Sequence, residues 1–221
     1  MRLIKPSIEF LNMTPDPLQA IEIAGRTCYK SEDKITEGSA VAFTRKIMKN
    51  GHLAMIEHAW ASYRVICDRG VSHEIVRHRL FSYAQESTRY CNYRGGATFI
   101  IPPWLASQIK EIQNVDFNTA FDTEGNGVAR YWGCQMLEAE KAYKTLILKA
   151  NWTPQQARGV LPNALKTELV ITGNLREWLH FFKLRTTKNA HPQMQEIANM
   201  LLVDIQQRIP IIFVVTERST Q

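Results

Sequence analysis

The residues best suited to chemistry are concentrated between Arg64 and Arg94. This segment holds six arginines and no lysine, against three acidic residues; they are Arg64, Arg69, Arg77, Arg79, Arg89 and Arg94, with Asp68, Glu74 and Glu86. A guanidinium is planar and binds phosphate or carboxylate through two parallel hydrogen bonds. The composition therefore predicts recognition of an anion in a partly desolvated site. A patch of exposed surface ion pairs is the alternative interpretation.

The first half of this segment is predicted to be a short helix over about residues 70–79, because apolar residues recur there at helical spacing. Glu74, Arg77 and His78 stand at i, i+3 and i+4, so on a helix they share one face opposite the apolar side. Arg79 follows directly and adds another guanidinium. The end of this helix is therefore predicted to present charged donors to a ligand.

The second half is predicted to be extended over about residues 82–91, which would point Gln85, Ser87 and Arg89 to the same side. An amide, a hydroxyl and a guanidinium beside the helix end suit a phosphate and a polar heterocycle. Ser87 is interpreted as a residue that positions the substrate, because no histidine is placed as its obvious base.

A zinc site is not predicted at His73 and His78. The segment resembles the His-Glu-x-x-His sequence of metalloproteases, but its two histidines are one residue further apart. At about 100° per residue, positions i and i+5 diverge by about 140° around a helix, so the two imidazoles cannot bind one ion. Catalytic zinc also requires three convergent protein ligands.

A second group of polar residues lies on a predicted helix at 174–185. Asn174 could cap this helix, and Arg176 and His180 stand at i and i+4 on its polar face. Arg185 follows an otherwise aromatic stripe, so we expect it to be half-buried, where it would need an anion or several acceptors. The alternative is that its stem packs on a neighbouring Phe and its charge reaches solvent.

The composition is that of an ordinary folded chain. Its 221 residues are 45% hydrophobic and 22% charged, with a net charge of +6. The longest apolar run is interrupted by Pro210, so no membrane span is predicted, nor is a signal peptide. Four scattered cysteines without a CxxC pair predict reduced thiols in a cytoplasmic protein and no metal framework; they are Cys28, Cys67, Cys91 and Cys134.

The hydrophobic pattern predicts an α+β fold in a single domain over residues 1–221, with a mixed or antiparallel sheet. Strands are predicted at about 2–11, 58–67, 82–91 and 163–172, and helices at about 14–29, 39–50, 70–79, 103–113, 127–149, 174–185 and 191–208, with loops at 94–103 and up to Asn126. The core stripe of the long helix is predicted to be Val128, Tyr131, Trp132, Met136, Tyr143 and Leu146. The strong amphipathicity of this helix would also suit an oligomer.

Several elements in order resemble a known family. Arg77-His78-Arg79, then seven residues, then Ser87 and Arg89 two further on, is similar to the signature of the flavin-dependent thymidylate synthases (ThyX). Four flanking elements are similar to further family motifs, and the likeness runs from about residue 20 to 210; they are His52–His58, Arg158–Pro162, Asn174–Arg185 and Ala190–Ile197.

The resemblance implies a homotetramer with active sites at subunit interfaces, and a central, mostly antiparallel sheet flanked by helices. It implies bound FAD and the conversion of dUMP to dTMP with 5,10-methylenetetrahydrofolate and NADPH, without an enzyme nucleophile. The implied FAD residues are His52, Arg77, His78, Arg79, Gln85, Asn174, Arg176 and His180. The implied dUMP residues are Glu74, Arg77, Gln85, Ser87, Arg89, Arg158 and Arg185. Arg185 is also the implied catalytic residue, because a guanidinium beside the uracil would stabilise negative charge on the ring.

Two alternatives remain at this point. The arginine-rich segment, with Tyr83, Tyr90 and Tyr93, could track phosphates and stack bases in a single-stranded nucleic-acid-binding module. Against this, the arginines are concentrated at one helix–strand corner and do not form a surface stripe. A catalytically inactive relative kept for assembly is the other alternative, and the full set of motif residues argues against it.

Overall fold

The computed structural model describes residues 1–109 and 127–213. The polar loop predicted up to Asn126 and the last part of the helix predicted at 103–113 lie outside these residues. None of the helices in the two described ranges has both the length and the apolar character that crossing a bilayer requires.

Strands and helices alternate irregularly along the chain. The strands are β1 (Arg2–Ile4), β2 (Ser7–Met13), β3 (Trp60–Asp68), β4 (Ser82–Gln85), β5 (Thr98–Ile100) and β6 (Lys166–Asn174). The α-helices are α1 (Pro17–Thr27), α2 (Ser39–Lys49), α3 (Arg69–Ile75), α4 (Gly127–Leu148), α5 (Pro154–Ala157), α6 (Leu175–Arg185) and α7 (Pro192–Arg208). Short 3-10 turns lie at Glu32–Lys34, Leu53–His58, Pro103–Leu105 and Arg158–Val160.

The strands of the described residues form two sheets. In the smaller sheet β1 pairs in parallel with β5, and Leu3 lies opposite Phe99. The larger sheet has the strand order β2-β3-β6-β4. Mixed helices and strands with an antiparallel sheet confirm the predicted α+β class.

Three predictions, about one strand, one loop and one helix, were wrong in detail. The strand predicted at 2–11 is divided, because Pro6 lies between β1 and β2 and has no N–H to donate to a ladder. Part of the loop predicted at 94–103 is β5, whose Phe99 is fully buried. The described start of the helix predicted at 103–113 is only the 3-10 turn Pro103–Leu105, followed by further turns.

The chain divides into two compact units, and β3 and β6 contribute residues to both. The first unit comprises Met1–Ser7, Val65–Arg77 and Ala84–Leu169. The second comprises Ile8–Arg64, His78–Tyr83 and Val170–Gln221.

The core of the first unit packs the β1–β5 sheet with one side of α4. Leu3 and Phe99 are fully buried, and Met136 of α4 belongs to the same hydrophobic cluster. The predicted α4 stripe is confirmed at Met136 and Tyr143 but wrong near the start of the helix, where Val128 and Tyr131 are both 69% exposed. The buried positions are Ala129, Gly133, Met136, Glu140 and Tyr143, which lie three or four residues apart, so the true face is rotated from the predicted one.

The core of the second unit is aromatic. Trp178 of α6 is fully buried, its indole N–H donates to the carbonyl oxygen of Ala61 over 3.1 Å, and its ring centroid lies 4.6 Å from that of Phe81. Gly173 is needed here, because a Cβ at this position would lie 2.1 Å from the Phe81 ring. Phe81 is thereby held against β6, three residues after His78.

Candidate active site

The segment around Arg77 does not continue as a helix. Asp68 caps the start of α3 by accepting from the backbone N–H of Val71 over 2.9 Å, and the helix ends at Ile75. A last turn follows, in which the N–H of Arg77 donates to the carbonyl oxygen of Glu74 over 3.2 Å. The prediction that Glu74, Arg77 and His78 share one helix face was therefore wrong: Arg77 is exposed, whereas His78 lies beyond the helix and is buried.

The strand predicted at 82–91 was also too long. β4 ends at Gln85, and the backbone then turns, with the N–H groups of Tyr90 and Cys91 both donating to the carbonyl oxygen of Ser87. The Ser87 hydroxyl accepts from the N–H of Arg89 over 3.3 Å. Gln85, Ser87 and Arg89 therefore do not form a single row along a strand, because a strand's alternation requires extended backbone throughout.

In the first unit, the orientation of Gln85 is fixed by two buried hydroxyls. Its amide nitrogen donates to Ser72 Oγ over 3.0 Å and to Thr167 Oγ1 over 3.2 Å. Ser72 and Thr167 are both fully buried. With its nitrogen held in this way, Gln85 keeps its amide oxygen as the group that could accept a hydrogen bond from a ligand.

Arg89 and Arg158, both in the first unit, are exposed, and each uses only some of its N–H donors in hydrogen bonds within the protein. Arg89 uses Nε to donate to Gln155 Oε1 over 2.8 Å, and its guanidinium carbon lies 5.4 Å from the centroid of the Tyr90 ring. Arg158 makes one long contact of 3.4 Å from Nη1 to Thr88 Oγ1. Both guanidinium groups therefore retain N–H donors that could bind an anion.

The acid in this stretch, Glu86, is already paired. It accepts from Lys166 over 2.8 Å and from the Tyr93 hydroxyl over 2.8 Å. Burial opposes the charge on Lys166, but its hydrogen bonds to Glu86 and Glu168 raise its pKa overall. Lys166 therefore stays charged and neutralises Glu86, so this acid does not compete with a ligand for the exposed arginines.

In the second unit, His78 and Arg185 form a direct hydrogen bond. Arg185 Nε donates to His78 Nε2 over 2.9 Å, while His78 Nδ1 lies 3.6 Å from Glu177 Oε1. The imidazole is only 5% exposed, and its centroid lies 5.0 Å from the Phe181 ring. Arg185 itself is half-buried, as its place on the aromatic stripe predicted.

The protonation of this group follows from its burial. Burial, and secondarily the positive charges of Arg185 and His180, lower the pKa of His78 from 6.5 to about 4. Burial raises the pKa of Glu177. His78 is therefore neutral at physiological pH, which leaves a lone pair on Nε2 to accept from Arg185.

The remaining predicted residues of the second unit lie at exposed or half-buried positions. Asn174 caps α6, with its side-chain oxygen accepting from the N–H of Glu177 over 2.8 Å. Arg176 is exposed and donates to Glu57 over 2.6 Å. His180 is exposed, and its ring centroid lies 6.0 Å from that of His78.

The charges of Arg77 and Arg79 are not compensated by neighbouring acids in the part of the chain that the structure describes. Both are exposed, and within residues 1–109 and 127–213 neither guanidinium has a hydrogen-bond or ion-pair partner. An exposed guanidinium without a partner in the protein has N–H donors available for the oxygens of a phosphate.

Described residues of the second unit line more than one cleft: one contains a predicted site residue and another contains none. His52, just before the 3-10 turn Leu53–His58, lines a cleft of about 720 Å³ beside α1 and α2. Another cleft, of about 590 Å³, lies near the start of α1 and residues 208–211 and contains none of the predicted site residues.

No group of three or more His, Cys, Asp or Glu side chains in the described part of the chain could hold a metal ion. His73 is exposed, whereas His78 is buried beyond the end of α3.

The sequence did not single out the residues that hold the site residues in place. Ser72 and Thr167 orient Gln85, and Glu177 lies beside His78. The spacing Asn174-x-x-Glu177 signals a helix start, which would have placed Glu177 in the first turn of α6. No local signal links Thr167 to Gln85, since 82 residues separate them.

The sequence matches the model of one protein family. The family model Thy1, described as thymidylate synthase complementing protein, matches residues 9–211. The chain belongs to this family, that of the flavin-dependent thymidylate synthases, and the resemblance seen in the motifs is confirmed.

Proteins with similar sequences carry the name of the same family. The flavin-dependent thymidylate synthase of Geobacter sulfurreducens is 33% identical over 213 residues, which cover 93% of this chain and 84% of the relative. That of Corynebacterium efficiens is 34% identical over 200 residues, covering 87% and 77% of the two chains.

Solved structures share the fold. The UMP/dUMP methylase PolB from Streptomyces cacaoi, bound with 5-Br dUMP, superposes with a TM-score of 0.77 at 25% identity over 96% of this chain and 95% of that chain. ThyX from Helicobacter pylori, complexed with FAD and dUMP, gives a TM-score of 0.73 at 21% identity over 94% and 98%.

Proposed function

We propose that this chain is an FAD-dependent enzyme that methylates dUMP to dTMP, using 5,10-methylenetetrahydrofolate as the carbon donor and NADPH as the reductant. The proposal rests on the family match over residues 9–211. Within that match, the observation that carries it is the half-buried Arg185 held by a neutral, buried His78.

The residues present fit FAD. The uncompensated guanidinium groups of Arg77 and Arg79 supply donors for its diphosphate. Hydrogen-bonding groups for the rest of the cofactor are proposed at His52, Gln85, Asn174, Arg176 and His180. His78 belongs to the same set, but it acts through Arg185, because it is buried and its Nε2 already accepts from that residue. When bound, FAD would supply the hydride-transfer chemistry that the reaction requires.

The first unit offers the residues for dUMP. Arg89 and Arg158 retain donors for the nucleotide phosphate, and Arg77 adds a third guanidinium. The amide oxygen of Gln85 is held in one orientation by Ser72 and Thr167, so it could accept from a uracil or ribose group. Glu74 and Ser87 complete the proposed set.

Arg185 is the proposed catalytic residue. Its guanidinium would stabilise negative charge that develops on the uracil ring as N3 loses its proton. His78 is a positioning residue for this guanidinium, because the hydrogen bond at Nε limits the rotation of the group about its stem.

A cysteine nucleophile is not part of the proposal. Cys67 is buried on β3, and burial raises the pKa of its thiol, which disfavours the reactive thiolate. Cys28, Cys91 and Cys134 are free thiols outside the Arg-His-Arg motif. Free thiols also suit a cytoplasmic location, which we propose for this protein.

We further propose that the chain acts as one domain and assembles as a homotetramer with active sites at subunit interfaces. Exposed apolar side chains on α4 support self-association: Val128 and Tyr131 are each 69% exposed, and Leu148 is 62% exposed. The nucleic-acid-binding alternative has no support among the relatives described above.

The proposed function is tested by the colour and the product of the purified protein. We expect yellow protein whose flavin absorbance bleaches on anaerobic addition of NADPH, and dTMP that forms only when dUMP and methylenetetrahydrofolate are both present. Colourless protein that shifts a labelled single-stranded oligonucleotide would contradict the proposal and favour the alternative.

A further inference from the structure

We infer that the cleft beside α1 and α2, here called the α1–α2 cleft, binds the anionic end of a co-substrate, an inference that rests on the proposed function. Its volume of about 720 Å³ is in the range of small-molecule sites. Its lining consists of Arg26, Tyr29, Ser31, Lys34, Ser39, Ala42, Phe43, Lys46, Ile47, Asn50 and His52.

The charge of the α1–α2 cleft is positive. Lys34 and Lys46 line it, and neither has a carboxylate partner within the described residues. Glu32 and Asp33 share the 3-10 turn of Lys34 but do not line the cleft. A ligand with carboxylate or phosphate groups would therefore meet two uncompensated ammonium groups.

The third cation of the cleft is held rigidly. Arg26 donates from Nε and Nη2 to Oε1 of the buried Glu22, over 3.1 and 2.9 Å. Glu22 also accepts from the Ser39 hydroxyl over 2.7 Å. The Arg26 guanidinium lies 4.8 Å from the Phe43 ring centroid, so this wall is fixed before any ligand arrives.

The cleft also offers a surface for a planar group. Tyr29 lines it and is 75% exposed, although most of its ring is apolar. A planar ring could stack on Tyr29 while its acidic substituent reaches Lys34 or Lys46. The combination fits an aromatic or heterocyclic ligand with an anionic tail better than it fits a simple ion.

His52 connects this cleft to the proposed chemistry. It lines the cleft, and it belongs to the residues proposed to contact FAD. A ligand in the cleft would therefore approach the flavin, as both co-substrates must. Two anionic tails have the required chemistry: the glutamate carboxylates of the folate and the 2′-phosphate of NADPH.

The test uses the double variant K34A/K46A, with K49A as the matched control. Lys49 is exposed on the same helix, α2, but does not line the cleft. Binding and kinetics are both measured on the purified holoenzyme. The binding experiment gives the dissociation constants of 2′,5′-ADP and of folic acid with one or five glutamates. The kinetic experiment gives the KM values for NADPH, NADH and methylenetetrahydrofolate.

The double variant lacks the two exposed ion pairs that Lys34 and Lys46 would form with an anionic ligand. This loss is expected to raise the dissociation constant of the ligand about tenfold. A rise in the dissociation constant of 2′,5′-ADP and in the KM for NADPH, with an unchanged KM for NADH, would assign the cleft to the 2′-phosphate. A rise that grows with the number of glutamates would assign it to the folate. FAD content and dUMP affinity should match K49A in either case.

The inference is overturned if both anionic ligands bind the double variant within twofold of K49A. Because binding is measured directly, this result differs from failure of the proposed function. A wild-type protein that binds these ligands through Lys34 and Lys46 but forms no dTMP would overturn the function and leave the cleft assignment standing.

Discussion

Arg185 Nε donates a hydrogen bond to His78 Nε2 over 2.9 Å, which joins the last turn of α6 to the residue that follows Arg77. This bond requires a lone pair on Nε2, so the imidazole proton lies on Nδ1, 3.6 Å from Glu177 Oε1. A buried neutral imidazole thus orients a half-buried guanidinium. The consequences for activity, pH dependence and cofactor binding can be separated by experiment.

Replacing His78 tests its role as an acceptor. His78→Gln retains an oxygen that can accept from Arg185, whereas His78→Leu retains volume and loses the acceptor. We expect kcat to fall about tenfold or less in H78Q and on the order of a hundredfold in H78L, because a freed guanidinium would leave its proposed position beside the uracil. Both are measured at saturating substrates.

The control for these variants is the dissociation constant of FAD. If H78Q and H78L lose kcat equally while their FAD affinity is unchanged, His78 does not act by accepting a hydrogen bond from Arg185.

Stability should depend on pH through His78. Because its pKa is lowered to about 4, the unfolded chain binds a proton between pH 6.5 and 4 that the folded protein does not. The free energy of unfolding therefore falls as the pH is lowered from 6.5 to 4, by about 3 kcal/mol over the whole interval and by about 2 kcal/mol down to pH 5. Urea unfolding at pH 7 and pH 5 measures the second of these losses.

The same experiment on H78Q is the reference. Its unfolding free energy should fall less over this pH interval than that of the wild-type protein. Identical pH profiles for the two proteins would contradict a neutral, buried His78.

Arg77 and Arg79 should govern the loading of FAD. Each lacks a partner among the described residues, so its removal costs little stability, whereas a lost charged contact to a diphosphate weakens cofactor binding by about 1.5–3 kcal/mol. We expect R77A and R79A to be purified with less flavin and to bind FAD at least tenfold more weakly. The ratio of flavin to protein absorbance and a titration with FAD measure this.

Arg94→Ala is the matched control, since Arg94 is an exposed arginine outside the proposed FAD set. An equal loss of flavin in R94A would indicate a general effect of positive charge.

A protein without cysteines should still turn over. Cys67 is the buried thiol, and its replacement by Ala removes one small side chain from β3, with a stability cost of about 1 kcal/mol. Ser or Ala at Cys28, Cys91 and Cys134 should have less effect. A folded, flavin-bound cysteine-free variant that forms no dTMP would contradict a mechanism without an enzyme nucleophile.

The sequence predicted the elements whose signals are local. Helices α2, α6 and α7 lie within one residue of their predicted bounds, because residues such as Asn174 and Pro192 mark helix starts. The strand predicted at about 58–67 is β3, Trp60–Asp68, in which Ala61, Tyr63 and Val65 are buried. The Arg-His-Arg motif also identified the family.

The predictions that were wrong concern features that depend on contacts between residues distant in sequence. α3 ends at Ile75 although the apolar pattern continues, and His78 instead meets Arg185, 107 residues later. β5 is three residues long and exists through its pairing with β1. Local periodicity carries no information about such partners, so the orientation of Gln85 and the environment of His78 were not predictable.

The most direct test of the account is a single-turnover comparison of wild-type protein and Arg185→Ala. Each is reduced anaerobically with NADPH and mixed with dUMP and methylenetetrahydrofolate, and dTMP is quantified by chromatography while circular dichroism and gel filtration report folding and assembly. We predict about one dTMP per bound flavin in the wild type, with normal flavin bleaching but a rate of dTMP formation lower by at least a factor of about 10² in R185A. Formation of dTMP at the wild-type rate by a folded R185A protein, or no dTMP from the wild type, would contradict the account.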